Sequence, residues 1–200
     1  MNGLEHLDRL TAALARLPGI GRRSAERMAY RLAWDPDGAL RELLEALREA
    51  QAHVRLCSRC GGLTEASENP CRLCTNPARD RSALCVVQDP SDIIAIERTG
   101  SFKGRYHALM GIISPMHGEG PKDLRLGSLM RRIAEERFED VILALGTDVE
   151  SESTASYITE LLKTKSLRVT RLASGMPAGS GIGYSDPVTL SRAVKGRRAS

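Results

Sequence analysis

Residues 141–152 read VILALGTDVESE: five apolar residues, a glycine and a threonine, and then carboxylates at Asp148, Glu150 and Glu152. An unbroken apolar run of this length, Val141 to Leu145, is the pattern of a strand buried on both faces, as in a parallel sheet. The neighbouring stretches repeat the theme. Leu84 to Val87 reads as a buried strand and Ile93 to Glu97 as a helix; Leu126 to Arg137 and Thr154 to Leu162 read as helices, and Leu167 to Leu172 as a further strand. Strands alternating with helices predict an α/β domain, a mostly parallel sheet with helices on its faces. Ligands of such sheets sit at the carboxyl ends of strands, where the three carboxylates fall. From Glu139 to Glu160 there are six acidic residues and no basic one. Such a set can hold Mg2+, or it can be a solvated acidic loop.

Toward the N-terminus the period changes. After Leu4, the residues Leu7, Leu10, Leu14 and Leu17 recur at steps of three and four, one stripe of an amphipathic helix that Pro18 and Gly19 stop. Ala25, Met28, Ala29 and Leu32 mark a second helix from Ser24. Leu40, Leu43, Leu44, Leu47 and Ala50 mark a third after the break at residues 35–38 (DPDG). Residues 1–55 are therefore expected to form an N-terminal helical module. Arg16, Arg22, Arg23, Arg27 and Arg31 face only Glu26 there, so positive charge is local although the net charge of the chain is only +4. Between the first two helices, Gly19 and Gly21 flank one apolar anchor, Ile20. They permit a tight turn with Ile20 inward and the first N–H groups of the next helix outward. Those N–H groups, with Arg22, Arg23 and Arg27, suit phosphate oxygens and would grip a nucleic-acid backbone without reading bases. The plainer alternative is an ordinary helix-to-helix turn with a solvated basic face.

Residues 56–78 lose periodicity and carry four of the five cysteines. Cys57 and Cys60 form one C-x2-C pair and Cys71 and Cys74 the other, the spacing that places four thiolates around Zn2+. Four sulfur ligands leave no open position, so the zinc would be structural and not catalytic. Disulfides or an iron–sulfur cluster are the alternatives; a cytoplasmic chain disfavours the first and the paired spacing the second. Cys85 falls inside an apolar strand and reads as a small buried hydrophobe. Composition sets further bounds. With 42% hydrophobic and 27% charged residues the chain is globular, and at 4% aromatic it cannot rely on base stacking. No run approaches the ~18 apolar residues of a membrane span, and Met1 to Leu10 carries charges where a signal peptide has its apolar core. The chain is thus expected in the cytoplasm, with no membrane partner. His107 and His117 lack ligand spacing and read as packed or solvated. Ser174 to Tyr184 is rich in Gly and Ser, its Gly175 to Gly183 lacks the Lys-Ser/Thr of a P-loop, and Lys195, Arg197 and Arg198 form a basic tail.

Leu17 to Arg27 (LPGIGRRSAER) resembles the helix-hairpin-helix motif of DNA-binding proteins. The acidic strand end resembles the Toprim fold of topoisomerases, primases and some nucleases, which uses a Glu after its first strand and an Asp-x-Asp at a later strand end. Here Gln88 stands where the Glu is expected and Gly146 where the first Asp is, so Asp148 lacks its partner; Asp89 points the other way on a strand of period two. A neutral amide and a glycine cannot draw in a divalent ion, which speaks against the rival reading of a Mg2+-dependent Toprim nuclease or primase-like enzyme.

Taken in order, the helical hairpin, four-cysteine site, Toprim domain and tail resemble the bacterial RecR family of recombination mediators over essentially all of the chain. Arg79 to Val87, Glu97 to Gly111 (ERTGSFKGRYHALMG), Ser114 to Pro121 (SPMHGEGP) and Tyr184 to Ala193 (YSDPVTLSRA) also look like that family; Pro187 stands where an acidic residue is more usual. The resemblance implies a helix-hairpin-helix module at 1–55, a C4 zinc finger at 56–78, a Toprim domain at 79–174 and an oligomerisation tail at 175–200. It implies a non-enzymatic protein of recombinational DNA repair that works with RecO and RecF to place RecA on gapped DNA, as a ring-like tetramer. Gly19, Gly21, Arg22, Arg23 and Arg27 would then meet DNA without sequence preference, Arg23 and Arg27 at the positions that carry DNA binding in the family. Asp148, Glu150 and Glu152 would face a basic partner such as RecO.

Overall fold

The computed structural model describes residues 4–173, 175–176 and 179–197, so Ser174 of the glycine-rich stretch and Arg198 of the basic tail lie outside the described residues. The chain divides into two units, Met1–Arg55 and Leu56–Ser200. In the first, α1 (Glu5–Ala15) packs on α2 (Arg22–Trp34). Leu7, Leu10 and Leu14 are half-buried, and Ala25, Ala29 and Leu32 of α2 are buried. Small residues four apart let the two helices approach closely. Leu17, expected to complete the first stripe, is instead 51% exposed, because α1 ends at Ala15 and Leu17 lies in the turn. A single π-helical turn, Pro36–Leu40, follows α2, with Asp35 Oδ2 accepting from Ala39 N–H at 3.3 Å. It leads into α3 (Arg41–His53), on which no residue is buried and Leu43, Leu44 and Leu47 are exposed. The apolar stripe of the third helix exists, but none of the described residues buries it.

After α3, β1 (Val54–Leu56) pairs with β2 (Leu63–Glu65) in a two-stranded sheet, and α4 (Arg72–Thr75) carries the last zinc-spaced cysteine. There follow β3 (Ala83–Val87), α5 (Pro90–Thr99), β4 (Arg105–Ala108), α6 (Leu126–Glu135), β5 (Asp140–Ala144), α7 (Val149–Leu162), β6 (Arg168–Arg171) and α8 (Pro187–Lys195). The main sheet has the order β4-β3-β5-β6 and every neighbouring pair is parallel, with Leu84 opposite both Arg105 and Val141, and Asp140 opposite Arg168. This is the expected α/β architecture. The period of two divides the core: Leu84, Val86, Val141 and Leu143 join Leu129 of α6 and Ile158 of α7, while Cys85 and Val87 join Ile93 of α5, Tyr106 and the four paired cysteines.

Several elements differ from the sequence expectation for identifiable reasons. β4 escapes an apolar pattern because Arg105 and His107 alternate with Tyr106 and Ala108; all four are buried, and Arg105 Nη1 and His107 Nε2 bond partners distant in sequence. α5 starts at Pro90 rather than Ile93, because Asp89 and Asp92 form a capping box around its first turn. α7 starts at Val149 rather than Thr154, capped by Asp148, so the carboxylates expected in a loop open a helix instead. Pro187 occupies the first turn of α8, where a missing N–H costs nothing, and Asp186 caps it by accepting from Val188 and Thr189 N–H.

Candidate functional site

The turn between α1 and α2 is built around Gly19, whose φ of +78° favours glycine, with Ile20 N–H closing on Leu17 O at 3.1 Å. Ile20 is half-buried and Gly21 is the N-cap of α2 in extended conformation. No side chain caps α2, so its first N–H groups keep their capacity for an outside acceptor. The three arginines of the motif are not equivalent. Arg22 Nε donates to Glu26 Oε1 at 3.3 Å, whereas Arg23 and Arg27 are exposed and enter no hydrogen bond or ion pair among the described residues. Four positions apart on a helix, Arg23 and Arg27 share a face.

The four paired cysteines are buried, and their sulfurs all lie within 4.8 Å of one another. Cys57 and Cys74 Sγ are 3.9 Å apart and Cys60 and Cys71 Sγ 3.6 Å. These bracket the edge of about 3.8 Å of a tetrahedron with ~2.3 Å metal–sulfur bonds. Backbone N–H groups of Cys71 and Gly62 donate to the sulfurs of Cys57 and Cys60, each at 3.3 Å, which favours thiolates. Cys57 is pushed down by its thiol neighbours and Cys74 pushed up by the same crowding, since thiolates this close repel until a cation sits among them. The donor set therefore fits a metal ion of the tetrahedral thiolate kind. Among the described residues it is the one group of three or more His, Cys, Asp and Glu side chains that converges in this way. The knuckle is tied to the sheet: Ala108 N–H of edge strand β4 donates to Cys60 O at 2.7 Å, and the Arg125 guanidinium, which sequence reasoning missed, reaches Ala108 O and Arg59 O. Cys85 stands apart, its thiol pushed up to about 12 by burial and so inert.

The carboxylates at the end of β5 are each engaged separately. Asp148 accepts from Ser151 N–H at 2.9 Å and Ser151 Oγ at 2.7 Å, bonds that hold its carboxyl below the ordinary range. Glu150 accepts from Ser114 Oγ, which also bonds His117 Nδ1 at 2.7 Å. Glu152 pairs with Arg171, whose other nitrogen donates to Gly146 O at 3.3 Å. A guanidinium thus lies against the strand end. Neither Ser114 nor Arg171 carries a signal in periodicity or spacing. At Gly146 a Cβ would stand 2.6 Å from Asp148 Oδ2 and 2.8 Å from Ser151 Oγ, so an acidic residue there would collide with the cap of α7. Asp89 is spent on capping α5, with Ser91 N–H donating to it at 2.9 Å. No helix among the described residues is long and apolar enough to cross a membrane.

Comparison with known proteins agrees with this organisation. A model of the Toprim domain matches residues 82–173, a model of the RecR helix-hairpin-helix matches 7–51, and a model of the RecR C-terminal region matches 175–198. The chain is 49% identical over 186 residues to recombination protein RecR of Thermobifida fusca, covering 93% of this chain and 92% of the relative. It is 48% identical over 193 residues to that of Moorella thermoacetica, 96% of each chain, and 46% identical over 192 residues to that of Bifidobacterium longum subsp. infantis, 96% of this chain and 95% of the relative. A Toprim domain by itself does not show catalysis. Similarity at this level, sustained from the helical hairpin through the sheet to the last helix, reaches well beyond a shared fold, and the chain belongs to the family of recombination protein RecR.

Proposed function

We propose that this chain is a non-enzymatic mediator of recombinational DNA repair that holds DNA by its backbone phosphates and closes around it as a ring-shaped homotetramer. In this reading it works in the cytoplasm with RecO and RecF to promote RecA loading on gapped DNA. The observation that carries the DNA contact is the pair Arg23 and Arg27, exposed and without an ion-pair partner among the described residues, on the opening turns of a helix no side chain caps. Phosphate oxygens accept from both guanidiniums, and from the uncapped N–H groups that open α2 after Gly21, while Arg22, held by Glu26, contributes field more than contact. Nothing in this set reads a base edge, so binding is independent of sequence.

Three features support the remainder. The uncovered stripe Leu43, Leu44 and Leu47 of α3 suits a second copy of the chain, and a closed ring stays on DNA without a large net charge. The carboxylates Asp148, Glu150 and Glu152 are committed to a cap, a serine and an arginine, which supports a face for a basic partner such as RecO over a Mg2+ site for cleavage. Zn2+ held by Cys57, Cys60, Cys71 and Cys74 supplies a cross-link for a segment too small to fold on its own apolar burial. The corresponding division is a helix-hairpin-helix module at 1–55, a zinc finger at 56–78, a Toprim domain at 79–174 and an oligomerisation tail at 175–200.

The double variant Arg23→Glu with Arg27→Glu tests the contact. Binding to a fluorescent duplex should be lost with an unchanged melting temperature, and retained affinity would remove the hairpin from the account. Light scattering with and without DNA, followed by incubation with Mg2+, tests the rest: a tetramer that leaves DNA intact supports the mediator, whereas a monomer removes encirclement and cleavage restores the enzyme.

A further inference from the structure

A cavity of about 490 Å3 lies in the second unit where the cysteine module meets α6 and β4, and guanidiniums dominate its lining: Arg59, Arg81, Arg105 and Arg137, with Glu136 as the one carboxylate. Glu136 is already engaged through both of its oxygens. Its Oε1 accepts from Arg59 Nε at 3.1 Å and from Arg132 Nε at 2.8 Å, and its Oε2 from Arg105 Nη1 at 2.6 Å. Two consequences follow from simple counting. Three guanidiniums converge on one carboxylate and Arg81 and Arg137 add two more to the same locus, so that even a four-thiolate zinc centre beside them, which would carry two net negative charges, leaves it positive. Moreover, Arg105 Nε and Arg132 Nη2 are buried with no acceptor among the described residues. An orphaned charged donor is costly to bury, and Arg105 is a side chain only 8% exposed in the wall of this cavity. Arg81 and Arg137, by contrast, are exposed and enter no hydrogen bond or ion pair among the described residues.

The geometry points to a second phosphate-binding site here, taking a backbone phosphate of the same DNA that the hairpin holds. Guanidinium forks match the non-bridging oxygens of a phosphate, with Arg81 and Arg137 placed to close on them and the buried Arg105 guanidinium adding positive charge behind. An acidic peptide fits less well, because apart from charged groups the wall offers only Cys74 and Thr75 and no large apolar side chain for a peptide anchor. The site rests on the DNA-binding reading for the source of its phosphate and on its own residues for the chemistry.

The test uses the full-length, zinc-loaded protein and the double variant Arg81→Ala with Arg137→Ala, whose lost side chains hold nothing in the fold. Each phosphate contact adds about 0.9 to the slope of log affinity against log salt for duplex DNA, so the variant should lose about one to two units of slope and roughly tenfold in affinity at 0.1 M salt. In parallel, inorganic phosphate should raise the melting temperature of the unaltered protein relative to chloride at equal ionic strength, and the variant should lose that protection. A loss of DNA affinity in this variant supports the site even where Arg23→Glu with Arg27→Glu has no effect, which would overturn the hairpin alone. Unchanged DNA affinity and slope overturn the proposal; if phosphate protection is lost at the same time, the pocket serves free phosphate and the DNA source is wrong.

Discussion

Glu136 gathers three arginine contacts on a side chain only 13% exposed. Burial alone would raise its carboxyl, but the Arg132, Arg59 and Arg105 guanidiniums outweigh that and hold it at about 2. The unfolded chain therefore binds a proton that the folded chain does not. The stabilisation is complete above the ordinary carboxylate range and is lost as pH falls toward about 2. His107, fully buried on β4, is pushed down to about 3, mainly by burial and then by Arg132 and Arg125. The sign is the same and the window higher: this contribution is whole above ~6.5 and declines as pH falls from there toward about 3. His107→Gln should flatten the loss of stability between pH 7 and 5 in urea unfolding, and a variant that loses stability as steeply as the unaltered protein would show that His107 is not the group responsible. Glu136→Ala, which strands buried guanidiniums, should cost about 3–5 kcal/mol at pH 7. Cys60→Ala should release zinc to a chromophoric chelator and lower the melting temperature; full stability without zinc would mean that the site is not a folding element. The cysteines were legible because their spacing is local. Glu136 was not, because Arg59 and Arg105 come to it from 77 and 31 positions away.

Among the elements, α7 and α2 show how a helix start decides what carboxylates and arginines can do. At α7 the start is capped by Asp148 and Ser151, and Gly146 leaves the room the cap needs. Gly146→Asp restores an Asp-x-Asp pattern, yet it should cost about 1–2 kcal/mol through loss of the cap and should not bring Mg2+-dependent cleavage of a plasmid. Cleavage would mean that Arg171 and the cap yield to a metal. The uncapped start of α2 instead retains donors for a ligand. Reversing Glu150 and Glu152 to Lys should spare DNA binding and weaken association with RecO in a pull-down; unchanged association would take the acidic helix start out of the partner surface. β4 marks the limit of pattern reading at this scale. A strand reading RYHA has no apolar run, and its burial depends on Glu136, Glu97 and the Arg125 carbonyl reaching it from elsewhere in the chain.

For the whole molecule, the exposed stripe Leu43, Leu44 and Leu47 is the feature that most supports the proposed assembly of several copies. A helix of this length is marginal alone in water, and burying three leucines against a second copy would supply the missing contacts. Leu43→Asp with Leu47→Asp should reduce the solution mass measured by light scattering, and an unchanged mass would move the interface off α3. The α/β class, the helical hairpin, the cysteine quartet and the family resemblance are all readable from the order of residues alone, because apolar period, glycine placement and ligand spacing are local properties that survive without a fold. It took the folded chain to show that, among the described residues, Arg22 is paired while Arg23 and Arg27 are not, that the acidic residues open a helix and take separate partners, and that an arginine-lined cavity forms beside Glu136. Those outcomes depend on which side chains meet across long stretches of chain, and the free energy of a charge is set by its neighbours in space.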